Sequence, residues 1–217
     1  MIATRPKDKK EMQEREVVGV FRASRFVREY AKSHGQISVD ILCKIHANIF
    51  EEAWPEIAGV FRDEDISRIS GSDHVPPHWR QIPSLMREMD EKMYGYVADL
   101  TLAEGLIQHA KDESAEFLKT IESVLKFAAY VHHAITYIHP FRDGNGRTAR
   151  LAANLILERY GLIGISIKIE RENKNRYCDA LAQIDKYEDY EPLLNLMAEG
   201  LVDRYGGVPM RLVKDGK

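Results

Sequence analysis

Residues 139–150 read HPFRDGNGRTAR, and this motif joins the strongest helical pattern of the chain to the next one. Its two glycines flank Asn145, and glycine permits backbone conformations in which successive N–H groups converge on an anion. The residues after them begin a helical pattern, and the N-terminus of a helix also favours negative charge. The motif therefore predicts a phosphate-binding loop at the start of a helix.

Side chains of the same motif suit chemistry on a nucleotide phosphate. Arg147 and Arg150 are three residues apart, so we expect them to share a helical face and to clamp phosphate oxygens. Asp143 is a hard oxygen ligand, suited to a Mg²⁺ ion that bridges phosphates. His139 suits removal of a proton from an attacking hydroxyl, because the pKa of an unperturbed histidine is about 6.5. Together these residues predict attack on a nucleotide phosphate.

Outside the motif, apolar residues recur at helical spacing along most of the chain. The strongest pattern, at residues 117–138, predicts a central helix that runs into the motif. Further helices are predicted near residues 17–30, 38–49, 85–100, 151–156, 177–184 and 192–201. In the first of these, the apolar residues expected on the packed face are Val17, Val20, Phe21, Val27 and Tyr30. The fold class predicted is all-α.

Prolines and glycines interrupt the helical pattern between Trp54 and Pro83. A continuous helix is excluded there. Apolar and polar residues alternate within residues 66–75, which predicts a short β-hairpin; we call these residues the flap segment.

Composition limits the domain count and the partners. A chain of 217 residues with 44% hydrophobic residues can bury one core but hardly two. We expect a charged tail at residues 1–16, one domain at residues 17–205 and a second tail at residues 206–217. The 31 basic and 34 acidic residues are mixed, which disfavours nucleic acid and membrane as partners. Cys43 and Cys178 lack metal-type spacing, which favours a reducing compartment.

The expected location is the cytoplasm. The first residues, MIATRPKDKKEMQERE, are charged where a signal peptide is apolar. Export by a route that the sequence does not display remains compatible with this pattern.

The motif resembles the signature of the Fic family at every defined position, and family-like stretches extend the resemblance over about residues 38–203. The resemblance implies an all-helical Fic core with a β-hairpin flap over the active site. It implies that His139 is the general base and Asp143 the Mg²⁺ ligand. It assigns phosphate binding to Gly144, Asn145, Gly146, Arg147 and Arg150, and a structural anchor role to Pro140 and Phe141.

The activity implied by the resemblance is transfer of AMP from ATP to a Tyr, Thr or Ser hydroxyl of a target protein. The intact Gly-Asn-Gly-Arg-x-x-Arg pattern favours AMP transfer over the phosphate transfer of the Doc branch. The flap segment, with Ile69, Ser70 and Gly71, would hold an extended target segment by β-augmentation. Transfer of another phosphate-linked group, such as UMP or phosphocholine, and a catalytically silent nucleotide-binding regulator are the alternatives.

Inhibition within the chain is not indicated. Many Fic proteins carry Ser or Thr, three free positions, Glu, then Gly or Asn, and the glutamate pairs with the second motif arginine, here Arg150. No segment fits fully, since Asn195-x-x-x-Glu199-Gly200 lacks the hydroxyl. The resemblance therefore favours a separate, antitoxin-like inhibitory protein or weak intrinsic restraint.

The remaining chemistry-bearing side chains have simpler interpretations. Packing or capping roles are expected for His46, His74, His78, His132 and His133. Tyr177 fits either an adenine pocket or core packing.

Overall fold

The computed structural model describes residues 6–67, 69, 72–101, 115–165 and 174–204. These residues form seven α-helices and two short 3-10 helices and contain no strand, which confirms the all-α prediction for this part of the chain. The α-helices are α1 (Lys9–Lys32), α2 (Val39–Phe50), α3 (Ile82–Thr101), α4 (Ala115–Ile138), α5 (Asn145–Arg159), α6 (Lys174–Tyr187) and α7 (Glu191–Arg204). The 3-10 helices are Pro55–Ile57 and Trp79–Gln81.

Helix α4 lies at the centre of the core, as its apolar pattern predicts. It packs most extensively against α5 and also contacts α3, α6 and α7. Its buried face includes Val124, Val131 and Ile135, none of which is exposed to solvent. Ala149 and Ala152 of α5 are also buried. The α4–α5 pair thereby fixes the two ends of the motif.

Helix α1 begins earlier than its apolar pattern predicts. Its first residue is Lys9, and Asp8 caps it by accepting a hydrogen bond from the N–H of Glu11 at 2.8 Å. An Arg15–Glu11 ion pair, one helical turn apart, supports this polar first part. Polar residues within the expected N-terminal tail therefore form helix.

The expected packed face of α1 is only partly correct. Val17 and Phe21 are 56% and 73% exposed, and the buried residues are Gly19, Ala23, Val27 and Ala31. A Cβ atom at Gly19 would lie 1.9 Å from the carbonyl oxygen of Ile49. The backbone of α1 therefore lies directly against α2, and small residues form the contact where larger apolar ones were predicted.

The structure does not show the β-hairpin predicted for the flap segment. Residues 66, 67, 69 and 72–75 form no strand, and the N–H of Ser72 donates to the carbonyl of Ile69 at 3.2 Å. Ser70 and Gly71 lie outside the described residues, as does the stretch 206–217. In the described ranges, no helix has the length and apolar character that crossing a membrane requires.

Candidate active site

The motif forms a short loop, residues 139–144, between α4 and α5, and Asn145 closes it. The Asn145 side chain is buried; its Oδ1 accepts from the N–H of Phe141 at 2.9 Å and its Nδ2 donates to the Phe141 carbonyl at 2.7 Å. Gly144 has φ +77°, a left-handed conformation that suits glycine. Thr148 makes the first hydrogen bond of the helix, to Gly144. The preceding N–H groups at this N-terminus are therefore available to an anion.

His46 of α2 holds the motif loop through hydrogen bonds and a ring contact. Its Nδ1 accepts from the N–H of Gly59 at 2.9 Å, and its Nε2 donates to the carbonyl of Asp143 at 2.9 Å. The ring stacks on Phe141 with 3.9 Å between ring centroids, and both residues are fully buried. Burial lowers the pKa of His46 to about 4, so the ring is neutral at pH 7. The expected packing role for His46 is therefore also a hydrogen-bonding role.

Arg62 holds the other side of the loop, and no local sequence pattern identifies it as a site residue. It is only 4% exposed, and its guanidinium donates to the carbonyl oxygens of His139 (2.8 Å), Glu64 (2.8 Å) and Pro77 (2.5 Å). Its backbone N–H donates to the carbonyl of Pro140 at 2.8 Å. Arg62 thus joins the backbone at His139 to the chain that follows the flap segment.

A pocket of about 240 Å³ lies beside the motif loop. His139, Gly146 and Arg150 line it from the motif, so these predicted site residues come together in one cavity. The flap segment contributes Ile69, Ser72 and His74. The other walls come from α4 and from α6 with His133, Thr136, Tyr137, Lys174, Tyr177, Cys178, Leu181 and Asp185.

His139 is arranged as a base. Its Nδ1 lies 3.3 Å from the carbonyl oxygen of Thr136, which only accepts, so Nδ1 carries the proton and Nε2 keeps its lone pair. Burial is the main cause that lowers the pKa of His139, which keeps the ring neutral at pH 7. The residue has φ +51°, a conformation that is rare outside glycine and is common at functional sites.

Arg150 presents a partly buried cation to the pocket. Burial lowers its pKa, and its guanidinium lies beside the hydroxyl of Tyr177. That hydroxyl is in turn 3.4 Å from Nε2 of His132, a fully buried ring whose pKa is lowered to about 3 by burial. Within the described ranges no carboxylate pairs with Arg150. No described carboxylate therefore neutralises Arg150, and an anion in the pocket would be its counter-ion.

Arg147 does not line this pocket. Its Nη1 pairs with Oε2 of Glu16 in α1 at 2.5 Å, its Nη2 contacts Oδ1 of Asp143 at 3.1 Å, and its guanidinium lies 4.9 Å from the centre of the Phe50 ring. The structure therefore separates the two motif arginines, although their spacing predicts one shared phosphate clamp. Glu16, which lies in the stretch expected to be a tail, explains the difference.

Asp143 is the motif carboxylate that fits a Mg²⁺ ion. Its side chain is 51% exposed, and its Oδ1 accepts from the N–H of Gly144 and from Arg147. No described residue makes a hydrogen bond to its Oδ2. Among the residues that the structure describes, no group of three or more His, Cys, Asp or Glu side chains could hold a metal. A Mg²⁺ ion at Asp143 would thus take its other ligands from phosphates and water.

The pocket wall opposite Arg150 contains two histidines for which only packing or capping was expected. His133 donates from Nε2 to Asp185 at 2.7 Å, and His74 has its Nδ1 3.7 Å from the same carboxylate. The Nε2 of His74 also donates to the carbonyl of Tyr137 at 2.8 Å. These contacts tie the flap segment to α4 and α6.

A pocket at a helix N-terminus, lined by His139 and Arg150, has the chemistry that suits an anionic ligand. A family model described as the Fic/DOC family matches residues 36–157, more than half of the chain. The chain belongs to the Fic/DOC family, which confirms the resemblance.

Comparisons with known proteins agree with this assignment. The protein adenylyltransferase Fic of Nematostella vectensis is 30% identical over 198 residues, which are 89% of this chain and 40% of that protein. The structure of Fic-1 (residues 134–508) of Caenorhabditis elegans has a TM-score of 0.63 and 26% identity, and the match covers 93% of this chain and 52% of that one. The chain thus spans less than half the length of the first of these relatives.

A third match shows the fold alone. The structure of BepC of Bartonella tribocorum, a VirB-translocated effector protein with bound AMPPNP, has a TM-score of 0.54 and 20% identity. It covers 89% of this chain, which in turn covers 88% of that structure.

Proposed function

We propose that this chain is a protein adenylyltransferase that moves AMP from ATP to a hydroxyl side chain of a target protein. The carrying observation is the pocket beside α5, in which a neutral His139 and an Arg150 without a described carboxylate partner face the same space. The name of the Nematostella vectensis relative, protein adenylyltransferase Fic, supports the same reaction. AMPPNP in the BepC structure supports ATP as the co-substrate.

The arrangement assigns a task to each motif residue. The N–H groups at the start of α5 would hold the phosphates that lie nearest the loop, with Gly146 in the pocket wall allowing close approach. Arg150 would neutralise the charge of the outer phosphates. Asp143 would hold Mg²⁺, which supplies positive charge to the phosphates of the bound nucleotide.

His139 would carry the proton transfer. Its Nε2 would accept the proton of the target hydroxyl as the hydroxyl oxygen attacks the α-phosphorus of ATP. The bond from the α-phosphorus to the bridging oxygen of the β-phosphate would break, and pyrophosphate would leave with the electron pair of that bond. The products are the AMP ester of the target side chain and pyrophosphate. The hydrogen bond from Nδ1 to Thr136 keeps the other ring nitrogen free for this task.

The flap segment would position the target. Ile69 and Ser72 line the same pocket as His139, and His74 anchors the segment to α4, which supports pairing of an extended target segment with the flap segment at Ile69. Restraint by a separate antitoxin-like protein is also part of the proposal. Glu199 pairs with Arg176 at 2.8 Å, and Arg150 has no carboxylate partner in the part of the chain that the structure describes.

Substitution of His139 by alanine separates an enzyme from a binder. Transfer should fall at least about 100-fold, because a general base contributes roughly 10² to 10⁴ in rate. ATP affinity and melting temperature should change little, since Arg150, Asp143 and the α5 N-terminus remain.

The control is the unsubstituted protein, incubated with Mg²⁺ and in turn with ATP, UTP and CDP-choline, with the mass of the product measured. Full transfer without His139 would contradict the proposal. Joint loss of ATP affinity and thermal stability would instead assign His139 a structural role. A product mass other than that of AMP would favour UMP or phosphocholine transfer.

A further inference from the structure

Helix α1 contacts the phosphate-binding loop through the Glu16–Arg147 ion pair. The two side chains are 15% and 26% exposed, and their N–O distance is 2.5 Å. On its other side the same guanidinium contacts Oδ1 of Asp143 at 3.1 Å, and it lies over the ring of Phe50. A continuous chain of polar contacts therefore runs from α1 to the carboxylate that fits Mg²⁺.

The position of Glu16 is fixed by the close contact of α1 with α2. Gly19, three residues further along α1, touches the backbone of Ile49, and any side chain there would force the helices apart. One turn beyond, Arg22 donates to the carbonyl of Asn48 at 3.0 Å and pairs with Glu51 at 3.1 Å. Glu16 is therefore held at a fixed height above the motif by contacts that do not involve the motif.

Asp143 depends on this arrangement for its orientation. Its exposed carboxylate is held at one oxygen only, Oδ1, by Arg147 and by the N–H of the following Gly144. With Arg147 in place, the other oxygen, Oδ2, accepts no hydrogen bond from a described residue and remains available as a ligand. If Arg147 lost Glu16, its guanidinium would be free to turn, and the carboxylate would lose the contact that comes from outside the loop.

We propose that Glu16 is a positioning residue: it fixes Arg147, and Arg147 orients Asp143 toward the cation that accompanies ATP. This inference rests on the proposed function. It assigns a role in the site to α1, which lies outside residues 36–157 that the family model matches. Competition between Glu16 and phosphate for Arg147 is the opposite hypothesis, but Arg150 and not Arg147 lines the pocket.

The test compares Glu16→Gln with Glu14→Gln. Glu14 is also in α1, but its side chain is 66% exposed and pairs loosely with Lys10 at 3.9 Å. ATP affinity is measured by calorimetry over a range of Mg²⁺ concentrations, together with the melting temperature. For Glu16→Gln, the Mg²⁺ concentration that gives half of the full change in ATP affinity should rise about tenfold. A change of this size is typical when a residue that orients a metal ligand is lost.

Four comparisons make the test specific. ATP affinity without Mg²⁺ should stay within about twofold, Glu14→Gln should behave as the parent protein, and Glu16→Asp should restore much of the Mg²⁺ response because it keeps the charge. In an Arg147→Gln background, Glu16→Gln should have no further effect on the Mg²⁺ response, since the contact it acts through is already absent.

Four outcomes would overturn the inference. A lower melting temperature with an unchanged Mg²⁺ response would show that the ion pair only stabilises the fold. Tighter ATP binding by Glu16→Gln would show that Glu16 competes with phosphate. If the parent protein binds no ATP at any Mg²⁺ concentration, the proposed function fails and the inference fails with it. If the parent protein binds ATP and the Mg²⁺ response of Glu16→Gln equals that of the parent, the inference alone is refuted.

Discussion

His46 should make the stability of this domain fall with pH below about 6.5. In the folded protein its neutral ring is fully used, since Nδ1 accepts from Gly59 and Nε2 donates to Asp143. A second proton would go to Nδ1 and would abolish the hydrogen bond from Gly59 inside a fully buried site. Burial is the largest cause that lowers the pKa of His46 from 6.5 to about 4.

The sign and size of the effect follow from the two pKa values. The unfolded chain takes up a proton at His46 below about pH 6.5, and the folded chain does so only near pH 4, so the contribution is complete above pH 6.5 and is lost as pH falls toward 4. At about 1.4 kcal/mol per pKa unit, His46 alone should remove about 2 kcal/mol at pH 5 and about 3 kcal/mol at pH 4 and below.

The assay is urea unfolding at intervals from pH 7.5 to pH 5, with His46→Gln as the non-titrating variant. The variant should be less stable at pH 7.5, because it disrupts two buried hydrogen bonds and a ring stack. Its free energy of unfolding should then change less with pH than that of the parent, by about 2 kcal/mol between pH 6.5 and pH 5. Equal pH dependence in the two proteins would refute this account of His46.

Three further predictions test the site. Gly144→Ala should lower the free energy of unfolding by at least about 2 kcal/mol, because φ is +77° and the new Cβ would lie 2.3 Å from Phe50. The control, Gly146→Ala, should lower this free energy much less, and urea unfolding measures both variants. Tyr177→Phe should weaken ATP binding, measured by calorimetry, up to about tenfold, because it removes the hydroxyl beside Arg150. Unchanged ATP affinity would show that the Tyr177 hydroxyl does not support Arg150 in ATP binding. Glu199→Gly should leave self-modification unchanged on a protein gel, since Glu199 bonds Arg176; a strong increase would mean that the chain inhibits itself.

Local patterns in the sequence predict most of the fold. The apolar spacing of α4 matches the structure because Val124, Val131 and Ile135 lie on the helix face that packs into the core. The glycines of the motif predict the loop and the helix start because their conformational freedom is a local property. The all-α class and the position of the pocket residues His139 and Arg150 follow from such local information.

Contacts between distant residues could not be predicted in this way. The hydrogen bonds of His46 to Asp143, of Arg62 to His139 and of Glu16 to Arg147 join residues that are 97, 77 and 131 positions apart. The residues next to each of these side chains in the sequence do not indicate its partner. Only the packing of distant parts of the chain brings the two partners together. The separation of Arg147 from the pocket has the same origin.

Helix α1 and the flap segment show a second limit of prediction from apolar patterns in the sequence. Val17 and Phe21 are apolar but exposed, because α1 approaches α2 so closely that only Gly19 and other small residues fit the contact. Alternation in the flap segment predicts strands, but a strand also needs a pairing partner. The described residues of the segment are held by His74 and by a turn at Ser72, with no ladder between them.

The most direct test of AMP transfer is the fate of the three phosphates of ATP. The protein is incubated with Mg²⁺ and with ATP labelled either at the α-phosphate or at the γ-phosphate, in the presence of a lysate as the source of targets. The account predicts that label from the α-phosphate becomes covalently bound to protein, that label from the γ-phosphate is released as pyrophosphate, and that both signals disappear with His139→Ala. Covalent label from the γ-phosphate that appears only when this protein is added, with none from the α-phosphate, would contradict the account and identify the chain as a phosphotransferase.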